Sequence, residues 1–387
     1  MALPEFISKN DSSQNLSLCR EIQDTVKNDI LFTRLFNLSE NGLPLTQGQI
    51  DFAGFGAAGA DILVKGVVSQ TGGSATLTAA VFELPGGAPI FQKLYRASIL
   101  NTRKIAHEFV ADFIYRFTGN RGVSTSRIAF SNNATGFKEI YAIDYDGTHP
   151  IQLTHEKNIA LLPRWSPDKA GILYTTYRNG NPDLAFYSFA TGKAPTLSAR
   201  PGLNTSASFS PDGKEIVVTL SFENAAHLYL LDPQGKILKR LTHSKSSNTS
   251  ASFSADGQKI IFVSDRAGLP QIYMMNTDGS HPERLSDGGW CDAPVWSPLG
   301  DKIVYSRGND KGHHDIILQN LTNGEKIQIT SDSGKNENPT FSPDGRFIAF
   351  SSTRNGRSEI YIASLDGIVQ KKLSEIPGSS RTPSWEP

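Results

Sequence analysis

Phe253-Ser254-Ala255-Asp256-Gly257 is one of five near-copies of a short phrase in this chain. The others are Trp165-Ser166-Pro167-Asp168, Phe209-Ser210-Pro211-Asp212-Gly213, Trp296-Ser297-Pro298-Leu299-Gly300 and Phe341-Ser342-Pro343-Asp344-Gly345. A clipped sixth, Trp385-Glu386-Pro387, ends the sequence. The aromatic residues fall at 165, 209, 253, 296, 341 and 385, in steps of 44, 44, 43, 45 and 44. A period of that length with β patterning inside each unit predicts a β-propeller.

Working outward from the phrase, each unit reads as four short antiparallel strands. A β-branched or aromatic run follows the turn, as in Lys259-Ile260-Ile261-Phe262 and Phe347-Ile348-Ala349-Phe350. A polar, Gly-containing loop leads to a second run such as Gln271-Ile272-Tyr273. A tight turn then follows, with Asp-Gly at 146–147, 278–279 and 366–367. Asp-Gly between short β runs is a hairpin signal, because both positions tolerate positive φ. The repeated phrase itself is the first hairpin turn: Pro presets φ, Asp bonds nearby backbone and Gly takes the left-handed position. These residues are therefore scaffold and not catalytic.

Arg381-Thr382-Pro383-Ser384-Trp385 reads as an innermost strand whose turn is missing. Arg127-Ile128-Ala129-Phe130 reads as a second strand with no innermost strand before it. Together they complete one blade, which leaves no open sheet edge at the junction. The expected fold is mainly β: a six-bladed propeller over 127–387, closed by the C-terminal strand and preceded by a small α/β domain at 1–120 and a linker at 121–126. In the first domain Leu18, Ile22, Val26 and Ile30 predict an amphipathic helix. Strands are expected at 61–68, 76–82 and near 91–95. Asn101 or Thr102 is expected to cap a second helix with the stripe Ile105, Phe109, Phe113 and Phe117, ended by Gly119.

Bulk properties narrow the function. The chain has 387 residues, with 38 basic and 38 acidic side chains, so its formal charge is zero. That gives no electrostatic footprint for nucleic acid and no polybasic membrane anchor. No apolar run is long enough to span a bilayer. The cysteines, Cys19 and Cys291, fall in different expected domains and are read as unpaired thiols. No signal peptide is visible at the start of the sequence. No Gly-x-Ser-x-Gly elbow occurs, which argues against a peptidase. No His-x-x-x-His pair occurs. His149 and His281 occupy the same place after an Asp-Gly turn and read as loop decoration, while neighbours His313 and His314 point apart in extended chain. Asp144-Tyr145-Asp146-Gly147 lacks the later bidentate Glu of a calcium loop. No catalytic residue, metal site or cofactor is expected.

These features together resemble the TolB family, soluble envelope proteins of the Tol–Pal system of Gram-negative bacteria. The resemblance rests on Gly59-Ala60-Asp61-Ile62-Leu63-Val64-Lys65-Gly66, on the segment from Phe117-Thr118-Gly119 to Thr125-Ser126-Arg127-Ile128-Ala129-Phe130, and on the repeats. It implies a non-catalytic periplasmic scaffold, expected to be a monomer. Its propeller would bind the peptidoglycan-associated lipoprotein Pal, and its extreme N-terminus would link to TolA. The role implied is outer-membrane integrity and cell division, with bacteriocins as opportunistic partners. The TolA-binding segment of the family would precede Ala2-Leu3-Pro4-Glu5-Phe6. Carried over by position, Pal would meet the loops before each innermost strand: Leu203, Asn204, Thr205 and Ser206; Asn248, Thr249 and Ser250; Ser286, Trp290, Cys291 and Asp292; Asn336, Glu337 and Asn338; Arg381 and Thr382. A bulky residue at Asn248 is then expected to weaken Pal binding with little loss of folding. The competing reading is a propeller enzyme or generic ligand-binding ring acting on a glycan or peptide.

Overall fold

The computed structural model describes residues 1–9, 13–39, 45, 50–223, 225–331, 333–373 and 375–387. The chain is mainly β and divides into two compact units, Met1–Thr125 and Ser126–Pro387.

The first unit is a four-stranded sheet with two long helices in its core. Its elements are β1 (Ile7–Ser8), α1 (Ser13–Thr33), α2 (Phe52–Ala57), β2 (Ile62–Thr71), β3 (Ser74–Glu83), β4 (Pro89–Ser98) and α3 (Arg103–Thr118). The sheet order is β1-β2-β3-β4. β1 runs parallel to β2, and the other pairs are antiparallel. Ile22, Val26 and Ile30 of α1 are fully buried, as the stripe predicts, and pack with Phe109 and Phe113 of α3. Phe117, the last member of the α3 stripe, is 40% exposed. Gly119 closes α3 at φ 74°, donating its N–H to the Tyr115 carbonyl. The other end of α3 differs from expectation. Thr102 stands at the N-cap position but has helical dihedrals and makes no side-chain cap bond. Its hydroxyl instead donates to Glu21 Oε1 at 2.5 Å, so a tie to α1 has displaced the capping geometry.

Among the described residues, the second unit holds six four-stranded antiparallel sheets. One runs Asn248–Phe253, Lys259–Ser264, Gln271–Asn276 and Glu283–Arg284. Another joins the two ends of the unit: Ser380–Trp385 pairs with Arg127–Asn132, which pairs with Glu139–Asp144 and then Ile151–Gln152. In that pairing Trp385 lies opposite Ile128 and Ser380 opposite Asn132. Trp385 Nε1 donates to Ser126 Oγ at 2.8 Å, and Glu386 accepts from the Arg127 backbone at 2.8 Å.

The repeated phrase forms the first hairpin turn, as read. Ser254 Oγ donates to Asp256 Oδ1 at 2.6 Å and accepts from the Lys259 N–H at 2.9 Å. Asp256 also accepts from the Gln258 N–H, and Gly257 takes φ 70°. The Asp-Gly turns differ from the expected two-residue type. Only the glycine has positive φ, and Gly279 N–H donates to the Asn276 carbonyl three residues back. That is a four-residue turn with Gly in its last position.

Candidate protein-binding rim and axial cavity

The innermost strands of the six sheets are Ala160–Trp165, Asn204–Phe209, Asn248–Phe253, Cys291–Trp296, Asn336–Phe341 and Ser380–Trp385. Each breaks register with its neighbour between its second and fifth residues. The third residue of each is left-handed: Leu162 (φ 57°), Ser206 (52°), Ser250 (53°), Ala293 (52°), Asn338 (55°) and Thr382 (52°). Non-glycine residues held there cost of order 1 kcal/mol each, and such strain persists only where the surroundings impose it. Its sixfold recurrence makes it a feature of the architecture. A bulge of this kind bends the strand and re-aims its side chains.

The re-aimed residues converge. Leu162, Ser206, Ser250, Asp292, Ala293 and Asn338 line one cavity of about 200 Å³. Asp292 accepts from the Ala293 N–H at 2.6 Å and from Ser250 Oγ at 3.4 Å. Burial pushes its carboxyl above the ordinary carboxylate range, and nearby Glu337 adds to the rise. Glu337 in turn meets His314 Nδ1 at 2.6 Å. Neighbouring inner strands are tied together: Leu162 N–H donates to Thr382 Oγ1, and Trp165 Nε1 donates to the Ser384 carbonyl.

The residues singled out from sequence divide by exposure. Leu203, Thr205, Ser206, Thr249, Ser250, Asp292, Glu337, Asn338 and Thr382 are half-buried, and Trp290 and Arg381 are exposed. Asn204, Asn248, Ser286, Cys291 and Asn336 are buried, with their polar side chains turned to partners within the protein. They begin or support strands and do not sit in free loops. Asn248 Nδ2 donates to Ser244 Oγ and the Ser246 carbonyl, and its Oδ1 accepts from Arg266. Asn336 repeats the pattern with Ser333, the His314 carbonyl and Arg354. Asn204 binds the Pro182, Arg200 and Gly202 carbonyls. Ser286 bridges the Ile272 N–H and Gln271.

Sequence reading also passed over Leu162 and Arg164, which line the cavity from the first repeat. Aligning Ala160–Trp165 on the other innermost strands by its aromatic residue would have found them. The first repeat lacks the Asn-Thr-Ser pattern that drew attention elsewhere. Both cysteines are free and buried. Among the described residues no group of three or more His, Cys, Asp or Glu is placed to hold a metal ion, and no helix is long and apolar enough to cross a membrane.

A family profile described as "TolB beta propeller domain" matches residues 114–387. "Protein TolB homolog" of Chlorobium chlorochromatii is 37% identical over 234 residues, 59% of this chain and 53% of that protein. "Tol-Pal system protein TolB" of Desulfosudis oleivorans is 34% identical over 252 residues, 63% of this chain and 57% of that protein. The matched region thus spans little more than half the length of these curated relatives. The crystal structure of TolB from Acinetobacter baumannii superposes with a TM-score of 0.83 at 25% identity, covering 100% of this chain and 96% of that one. On the repeats, the sheets and these matches, the chain belongs to the TolB family of β-propeller proteins.

Proposed function

We propose that this protein is a non-catalytic periplasmic scaffold of the Tol–Pal system. In this reading residues 1–120 form one domain, 121–126 a linker and 127–387 a six-bladed propeller sealed by its C-terminal strand. The propeller binds the lipoprotein Pal, and the chain links through its N-terminal side to TolA, in support of outer-membrane integrity and cell division. The printed name of the Desulfosudis oleivorans relative, a Tol–Pal system protein, supports membership of that system.

The observation that carries the reading is the row of left-handed bulge residues. Four of the six, Ser206, Ser250, Asn338 and Thr382, carry a hydroxyl or an amide, which suits a wet protein interface. Trp290, 55% exposed, stands on the same loop as the start of the Cys291–Trp296 strand. Exposed Trp is the residue type most often found as an interface anchor.

Calorimetric titration with the soluble domain of Pal tests this. Trp290→Ala is expected to weaken binding at least about tenfold, as for an anchoring aromatic residue. Its melting temperature should stay near that of the parent, because the ring is exposed. Unchanged affinity in Trp290→Ala, or no Pal binding by the parent protein, would remove the assignment.

A further inference from the structure

The fifth residues of the six innermost strands face a second cavity of about 430 Å³, and they are Arg164, Ser208, Ser252, Val295, Thr340 and Ser384. Five are short. The sixth carries a positive charge on a long arm. Arg164 also lines the 200 Å³ cavity, so its side chain stands where the two spaces meet.

Among the described residues the Arg164 guanidinium makes one hydrogen bond, from Nη1 to the neighbouring Pro163 carbonyl at 3.0 Å, and no ion pair. Burial lowers its pKa only to about 10, so it remains a cation at neutral pH. The acids in the neighbourhood are otherwise engaged. Glu386 is held by the Arg127 backbone and side chain. Asp292 lines only the smaller cavity and accepts from Ala293 and Ser250. The side chain is half-buried, and a charge partly withdrawn from water is stabilised by a counter-charge.

We propose that the axial cavity is a binding site for a small oxyanion, a carboxylate or a phosphate, with Arg164 as its charged anchor and the Ser208, Ser252 and Thr340 hydroxyls, which line the same cavity, as donors. The planar fork of a guanidinium matches such oxygens two at a time. Hydroxyls rotate to donate where an anion sits. Val295 leaves one side of the ring apolar. The proposal does not depend on Pal: it concerns the interior of the propeller and is read without a partner.

The test titrates the full chain with inorganic phosphate, and separately with acetate, at constant ionic strength against chloride. Two readouts are followed, the melting temperature and the Nε–Hε resonance of Arg164. Either oxyanion should raise the melting temperature and move that resonance to saturation. R164Q should lose at least about tenfold in affinity, the loss expected when a charge-assisted hydrogen bond is removed. R164K should retain a weaker response, since a point charge replaces the fork. If R164Q does not fold, the resonance in the parent protein and the melting-temperature response of R164K decide. The proposal is overturned if neither anion moves the resonance beyond chloride, or if R164Q responds like the parent.

Discussion

Asn248 shows what a single buried amide does in this architecture. It is fully buried at the first position of an innermost strand, and both ends of its amide are occupied. Arg266, which donates to it, lies 4.7 Å from the Tyr273 ring centroid, so one side chain links a strand start to an aromatic stack. Asn336, Arg354 and Tyr361 repeat the unit at 4.2 Å. Asn248→Ala is expected to cost about 2 kcal/mol in urea unfolding, because it strands the Ser246 carbonyl and Ser244 Oγ as acceptors and the Arg266 guanidinium as a donor. Asn248→Trp should cost more, as the site has no room. Either change should act on binding only through folding, the reverse of the effect expected from sequence. The reason is geometric. A polar residue that begins a strand and one that ends the preceding loop look alike in a sequence, and only the pairing register says which points inward.

Asp212 makes a second residue-scale case. Its carboxyl accepts from Ser210 Oγ at 2.7 Å and from the Lys214 N–H at 3.1 Å, which holds its pKa at about 2. The folded value lies below the ordinary one, so the turn's preference for the charged form is fully present above about pH 4. It is lost as pH falls through about 2. Carboxyl titration by NMR should give that low midpoint, and Ser210→Ala should move it upward. A midpoint near 4 in the parent protein would contradict the hydrogen-bond assignment.

At the scale of the element, the hairpin turn was the most legible feature. The repeated Ser, Asp and Gly each have one task that local chemistry dictates, and no distant contact overrides it. Ser254 sits at the centre, giving to Asp256 and receiving from Lys259. Ser254→Ala should destabilise the second unit by about 1 kcal/mol, since the part-buried Lys259 N–H loses its acceptor. Thermal unfolding with intact far-UV circular dichroism checks this. The N-terminus of α3 was less legible because its capping hydroxyl is drawn away to Glu21, 81 residues earlier in the chain. The bulges could not be read at all. They break the two-residue alternation on which strand faces are assigned, and the residues that adopt φ > 0 there are Leu, Ser, Ala, Asn and Thr rather than glycine.

Across the whole molecule, the order of the sheets depends on two distant segments meeting. Ser380–Trp385 is the first strand of the sheet that continues with Arg127–Asn132. Deleting residues 380–387 would expose the edge of Arg127–Asn132 and remove the Trp385 bond to Ser126. The shortened protein should lose its cooperative unfolding transition and aggregate, because an unpaired edge strand templates association. Sedimentation and calorimetry would reveal this, and a soluble, cooperatively melting product would show that the seam is dispensable. The sequence carried the pairing of these termini because each half lacks what the other has. It did not carry the two cavities, which are lined by strands from separate repeats.

The most direct measurement is a structure of this chain bound to Pal. Pal should lie on the bulged ends of the innermost strands, touching Trp290, Arg381 and left-handed residues such as Ser250 and Asn338. Pal seated instead on the face formed by the Ser-Pro-Asp-Gly turns, with those rim residues still in solvent, would contradict the account.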